Sequence, residues 1–220
     1  MLYIEKMREP AELRLEKRKG LTDYSNLSGQ AKVAVQKALL QEQGYLCAYC
    51  MKRIDLKRVQ IEHYIPQHPE DGDYDPALTI DYHNMLAVCS GGNKSAGTFK
   101  NLTCDQHRGN TPLTVDPLDR ASIDKIQYKS DGTIFSEDAA IQRDLDITLN
   151  LNCTASYLKQ NRKAALDQVK KKIQSSYPDH RATKDQLKKM LLHFQEKQDG
   201  SYTEFAGVII WYLKKQISRN

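Results

Sequence analysis

The chain has 220 residues, of which 40% are apolar and 28% charged, with a formal net charge of +5. That balance excludes a disordered or fibrous protein, and no run approaches the ~20 uninterrupted apolar residues that cross a bilayer. The opening MLYIEKMREPAELRLEKRK lacks the apolar stretch of a secretory signal, so the expected location is the cytoplasm, away from any membrane.

Residues 1–43 read as an N-terminal helical segment. Within it LSGQAKVAVQKALLQEQG sets Ala31, Val33, Val35, Ala38, Leu39 and Leu40 mostly on one side of a helix, with Ser28 as N-cap and Gly44 as its stop. Residues 44–118 differ in kind. They hold four of the five cysteines, four of the six histidines and a concentration of glycine and proline, so they predict a compact, loop-rich unit that needs a staple. Inside it, Arg58–Ile65 reads as a strand and Met85–Val88 as its partner. Residues 119–153 predict a hairpin or irregular link, with Asp131-Gly132 at the turn. Residues 154–220 predict three helices, punctuated by Pro178 and Gly200. Charge is unevenly spread. Residues 158–220 carry 14 Lys/Arg against 6 Asp/Glu, a balance of +8, which leaves −3 on residues 1–157. A basic helical tail of this kind either grips a polyanion or docks a partner.

The cysteines carry the first chemistry. Cys47-Ala48-Tyr49-Cys50 is a C-x-x-C pair, and two thiolates at that spacing supply half of a tetrahedral zinc site. A redox pair of thioredoxin type belongs at a helix N-terminus in a βαβ unit, whereas this pair follows a helix and precedes a hairpin. The other two zinc ligands are either Cys89 and Cys104, or Cys104 with His107 in a C-x-x-H knuckle. Cys153 lies outside the unit and reads as a core thiol.

Glu62 and His63 end the first strand, Asn84 precedes the second, and Asp105 follows Cys104. An imidazole can take a proton from water near neutral pH. Two carboxylates can hold a hard dication, Mg²⁺ or Mn²⁺, that neutralises charge on a phosphodiester under attack. Asn84 can hold the loop that orients His63 through side-chain bonds to the backbone.

These residues resemble a known family. Cys47-x-x-Cys50, Glu62-His63-x-x-Pro66, Asp81-Tyr82-His83-Asn84-Met85-Leu86 with Cys89, and Cys104-Asp105-x-x-Arg108-Gly109-Asn110 are together similar to the HNH (ββα-metal) endonucleases over residues 44–118. More narrowly the arrangement resembles the HNH subunit of Septu-type anti-phage defence systems (PtuB) and related retron-associated HNH proteins. The resemblance implies an α+β chain in which a small, zinc-stapled ββα-metal core is embedded among helices. It implies His63 as general base, Asn84 as the central asparagine, and Glu62 and Asp105 as ligands of a catalytic Mg²⁺, with His107 as alternative to Asp105. Arg108 and Lys94 are the expected nucleic-acid contacts. The implied partners are nucleic acid, DNA in the first instance, and a separate P-loop ATPase subunit.

Two other motifs fail. Asp71-Gly72-Asp73-Tyr74-Asp75 begins like a calcium loop, but Pro76 and Tyr82 stand where Gly and Glu are required. Ser90-Gly91-Gly92-Asn93-Lys94-Ser95 lacks P-loop spacing. The competing functional class is a non-catalytic zinc module that binds nucleic acid or scaffolds a complex, using the cysteines and the basic helices without His63 or Asp105.

Overall fold

Helix α2 (Gly29–Glu42) begins where Ser28 accepts a hydrogen bond from the Ala31 N–H, and it buries Ala31, Val35 and Leu39 at the four-residue spacing of one helical face. It ends at Gly44, whose φ of 57° is left-handed and whose Cβ, if present, would lie 2.4 Å from the Tyr202 ring. A shorter helix, α1 (Ala11–Arg18), packs against α2 through the buried Leu13. The computed structural model describes residues 1–68, 75–92, 99–178 and 181–219, and among them it is a mixed helix-and-sheet protein.

The strand predicted over 58–65 forms as β1 (Val59–His63) and pairs antiparallel with β2 (Met85–Cys89), His63 opposite Met85 and Val59 opposite Cys89. Every residue of β2 is buried, and α2 covers the hairpin. The outer edge of β2 is closed by the Gln43 side chain, which accepts from the Ala87 N–H (2.7 Å) and donates to the Ala87 carbonyl (2.7 Å). That satisfies backbone groups which an open edge would leave bare. Between the strands lies the one-turn helix α3 (Pro76–Thr79), and after β2 the chain reaches a second single turn, α4 (Asp105–Arg108).

Downstream of α4 the expected hairpin is present as β3 (Ile126–Tyr128) and β4 (Ile134–Ser136), with Asp131 and Gly132 in its turn. It is flanked by helices that the pattern did not reveal, α5 (Arg120–Asp124) and α6 (Ala139–Arg143), each capped by an aspartate, Asp119 and Asp138. Five residues are too few for a 3.6-residue periodicity to show. Residues 1–10 are likewise not helical. They run extended, with Met1 and Ile4 buried and the Ile4 N–H bonded to the Pro117 carbonyl.

Three helices follow, α7 (Leu158–Ser176), α8 (Lys184–Gln195) and α9 (Ala206–Arg219). Thr183 and Gln186 close a capping box on α8. Helix α9 packs against α7, α8 and β3, burying Val208, Ile209 and Leu213, while Trp211 meets Tyr128 edge-on at 5.9 Å. One continuous apolar core joins these helices to the β1–β2 hairpin and to α2. Among the described residues no helix is long and apolar enough to cross a membrane.

Candidate metal and catalytic site

Four thiols converge beside the hairpin. Cys47 and Cys50 come from the tight turn after α2, where Met51 takes a left-handed φ of 63°. Cys89 ends β2, and Cys104 precedes α4. Their sulfurs all lie within 4.8 Å of one another, with Cys47 to Cys104 at 4.0 Å and Cys50 to Cys89 at 3.7 Å. Tetrahedral zinc thiolate bonds of ~2.3 Å require sulfur–sulfur separations of about 3.8 Å. The donor set and spacing therefore fit a closed structural zinc site. Hydrogen bonds from Cys104, Cys47 and Cys50 hold the Cys89 thiol low, and the same mutual bonding holds Cys104 up. One thiolate forms readily among four, and a dication is what permits the rest to ionise. His107 stands apart from this cluster.

The cluster is wired to β1 through Tyr49, which lies between the two knuckle cysteines and is fully buried. Its hydroxyl donates to Glu62 Oε1 at 2.9 Å and accepts from Arg108 Nη1 at 2.9 Å. Arg108 Nη1 also pairs directly with Glu62 Oε1. The remaining guanidinium bonds run to the carbonyls of Thr111 (2.8 Å), His63 (3.3 Å) and Tyr64 (2.5 Å). Arg108 is thus an interior residue with a side-chain exposure of 0%, and it corrects the expectation of a phosphate contact. Its place on α4, three residues after Asp105, turns it inward to the same carboxylate that Asp105 approaches.

Burial raises the Glu62 carboxyl well above its ordinary range; Arg108 opposes the rise, and the adjacent Asp105 adds to it by charge and by hydrogen bonding. Tyr49 and Arg108 both bind Oε1, so Oε2 lies outside those two bonds. Two carboxyl groups brought together in a shielded setting are a donor set for a hard dication.

On the opposite face of β1, His63 is 6% exposed. Its Nε2 lies 2.8 Å from the Thr79 carbonyl, which can only accept, so Nε2 carries the proton and Nδ1 keeps the lone pair. Burial lowers the imidazole pKa, while the Thr79 bond and the Asp105 charge oppose that shift. Thr79 is itself fixed: its hydroxyl donates to the Pro76 carbonyl (2.8 Å) and accepts from the Tyr24 N–H (3.1 Å). The Tyr24 ring meets His63 edge-on at 4.9 Å. Asn84 binds across the loop that follows β1. It accepts from the Ile65 N–H (2.7 Å) and donates to the carbonyls of Ile65 and Leu78 (both 3.0 Å). The side chain of Asn84 is committed to backbone and ties Ile65, just after His63, to Leu78, next to the Thr79 that binds His63.

The structure brings Asp105 against Glu62, and the Asp105 charge also reaches His63 on the other face of β1. It places His107 on the far side of α4, where Nδ1 lies 3.1 Å from the Thr148 carbonyl. Lys94 and most of the calcium-like loop (71–74) lie outside the described residues. Cys153, expected in the core, is instead half-buried, with its sulfur 3.6 Å from the Lys100 carbonyl. Sequence reasoning passed over Tyr49 and Thr79. A buried tyrosine inside a C-x-x-C spacer has no signature of its own, and Thr79 supplies a carbonyl that any residue could offer.

No protein-family model matches the chain. A curated relative does: it is 27% identical over 128 residues to a candidate HNH endonuclease of retron Vc95 from Vibrio cholerae serotype O1 biovar El Tor. The match covers 52% of this chain and 59% of that relative, so the chain spans less than two thirds of the protein it resembles. This likeness to a distant HNH endonuclease supports a nuclease reading of the same residues.

Proposed function

We propose that this protein is a metal-dependent endonuclease of HNH type that hydrolyses nucleic-acid phosphodiesters, DNA foremost. The observation that carries the reading is the orientation of His63. Its Nε2–H is spent on the Thr79 carbonyl, which leaves Nδ1 as an unprotonated base within reach of the Asp105 charge. In this reading β1, β2 and α4 would serve as the two strands and the helix of a ββα-metal core.

In this reading Nδ1 accepts the proton of an attacking water, and the Thr79 carbonyl stabilises the imidazolium that results. Glu62 Oε2 and Asp105 are the oxygens that would hold Mg²⁺ or Mn²⁺, whose contribution when bound is to neutralise charge on the phosphate and its leaving oxygen. Arg108 and Tyr49 keep Glu62 in place by gripping its other oxygen. Asn84 positions the loop that carries the base and touches no substrate. Cys47, Cys50, Cys89 and Cys104 would hold Zn²⁺, which when bound would fasten the C-x-x-C turn, β2 and the start of α4 into one frame. The motif resemblance to the HNH subunit of Septu-type systems is the ground for a place in anti-phage defence, as a nuclease subunit beside a separate P-loop ATPase.

The test is His63→Ala, assayed on matched DNA and RNA with Mg²⁺, with and without the ATPase. The variant is expected to retain zinc and its thermal unfolding profile and to lose cleavage by at least two orders of magnitude, the scale of a lost general base. Undiminished cleavage removes His63 from the reaction, and absence of cleavage by the unsubstituted protein under every condition favours a non-catalytic zinc module.

A further inference from the structure

Beyond α4, opposite the face that Asp105 and Arg108 share, stands a flat aromatic pair. Phe99 stacks on His107 with ring centroids 4.4 Å apart and planes inclined by only 23°, yet Phe99 is 63% exposed. A phenylalanine left this open does not serve the core. Nor does it hang loosely. The His107 Nδ1–H donates to the Thr148 carbonyl at 3.1 Å. The turn carrying Phe99 is pinned from the other side by Asn150, whose Nδ2 donates to the carbonyls of Lys100 (2.9 Å) and Leu102 (2.8 Å). One face of the Phe99 ring meets the imidazole, and among the described residues no second ring stacks on it, while most of the side chain stays exposed.

We infer that Phe99 and His107 form a stacking platform for an unpaired base of the substrate strand. The occupant is argued from shape and charge. A near-parallel aromatic pair is extended by a third ring in the same orientation, which is how single-strand-binding proteins hold bases irrespective of sequence. The exposed Lys100 follows Phe99 directly and meets a phosphate backbone in the same strand. Position fits as well. His107 and Asp105 point to opposite sides of one helical turn about 10 Å across, so the stacked base belongs to a nucleotide flanking the scissile phosphate and not to the one that carries it. A base within a duplex is stacked on its neighbours and has no free face to offer, so the substrate is single-stranded, or opened, beside the cut.

This inference rests on the nuclease reading of the site, and its test separates the two. The probe is a set of single-stranded oligonucleotides carrying 2-aminopurine at successive positions, added with Mg²⁺ to the His63→Ala protein. Quenching at one or two positions is expected. It should be lost with Phe99→Ala, which should also weaken binding by about tenfold, and kept with Phe99→Tyr, while a matched duplex binds equally to all three. Quenching at no position, or quenching indifferent to Phe99→Ala, overturns the platform; a protein-docking role for the ring would give that second result. Wild-type cleavage of the same strands is measured separately. Cleavage without Phe99-dependent quenching removes the platform and leaves the nuclease, and Phe99-dependent quenching without cleavage does the reverse.

Discussion

Arg108 holds Glu62 where a charge would otherwise lie stranded in the interior. The pair is buried on both sides, with side-chain exposures of 0% and 8%, and Tyr49 bridges the two. Removing one member of such a pair leaves the other without compensation, so Arg108→Met should cost roughly 3–5 kcal/mol in chemical denaturation. Tyr49→Phe deletes the bridging hydroxyl and keeps the ion pair, and should cost about 1–3 kcal/mol. An equal loss from the two variants would mean that the ion pair adds nothing to the hydroxyl. At this scale the sequence was half legible. Glu62 and His63 stood out because two titratable groups end an apolar strand, and Asn84 because it opens the next one. Arg108 looked like a surface contact because a guanidinium usually is one, and only the packing of α4 against β1 turns it inward. Tyr49 was hidden in a spacer whose identity the zinc spacing does not constrain.

Elements meet at the cysteine site through backbone as much as through sulfur. Thr103 donates its N–H (2.8 Å) and hydroxyl (3.2 Å) to the Gly91 carbonyl, which brings the strand end that carries Cys89 against the segment that carries Cys104. Gly91 has a φ of 64°, and a Cβ there would lie 2.1 Å from the Thr103 carbonyl oxygen. No side chain fits without parting the two segments. Gly91→Ala is therefore expected to purify with less than one zinc per chain and a lower melting temperature. Gly20→Ala is the control, since Gly20 also has a positive φ but open space around it; it bears only the ordinary backbone strain and should keep its metal. Full zinc occupancy in the Gly91 variant would show that the clamp is dispensable. The long helices and the β1–β2 hairpin were readable because burial imposes a period on them. Helices α5 and α6 were not, because one turn is set by an aspartate cap and by what packs on it.

Across the whole molecule, the loop-rich unit and the basic helices are held by one core, so the metal site and the C-terminal helices should fail together. Helix α9 inserts Gly207 against Met51, next to the second knuckle cysteine; a Cβ there would sit 2.6 Å from the methionine sulfur, and the Gly207 N–H donates to that sulfur at 3.2 Å. From α7, the buried Arg162 donates to the carbonyls of Gly132 (2.7 Å) and Leu151 (2.9 Å), tying the β3–β4 turn to the segment before the helix. Trp211, the single tryptophan, lies on α9 against Tyr128 and so reports on this junction from outside the cysteine cluster. A structural zinc ion stabilises whatever shares its cooperative unit. Withdrawing zinc with a chelator should therefore shift the Trp211 fluorescence transition to lower temperature, in step with loss of far-ultraviolet helix signal. Zn²⁺ should restore both and Mg²⁺ neither, because a four-thiolate site selects a soft-tolerant ion over a hard one. A Trp211 transition that stays at its original temperature after complete zinc loss would divide the molecule into two independent units. The basic tail would then be an appended arm, whereas the continuous core makes it part of the frame that carries His63.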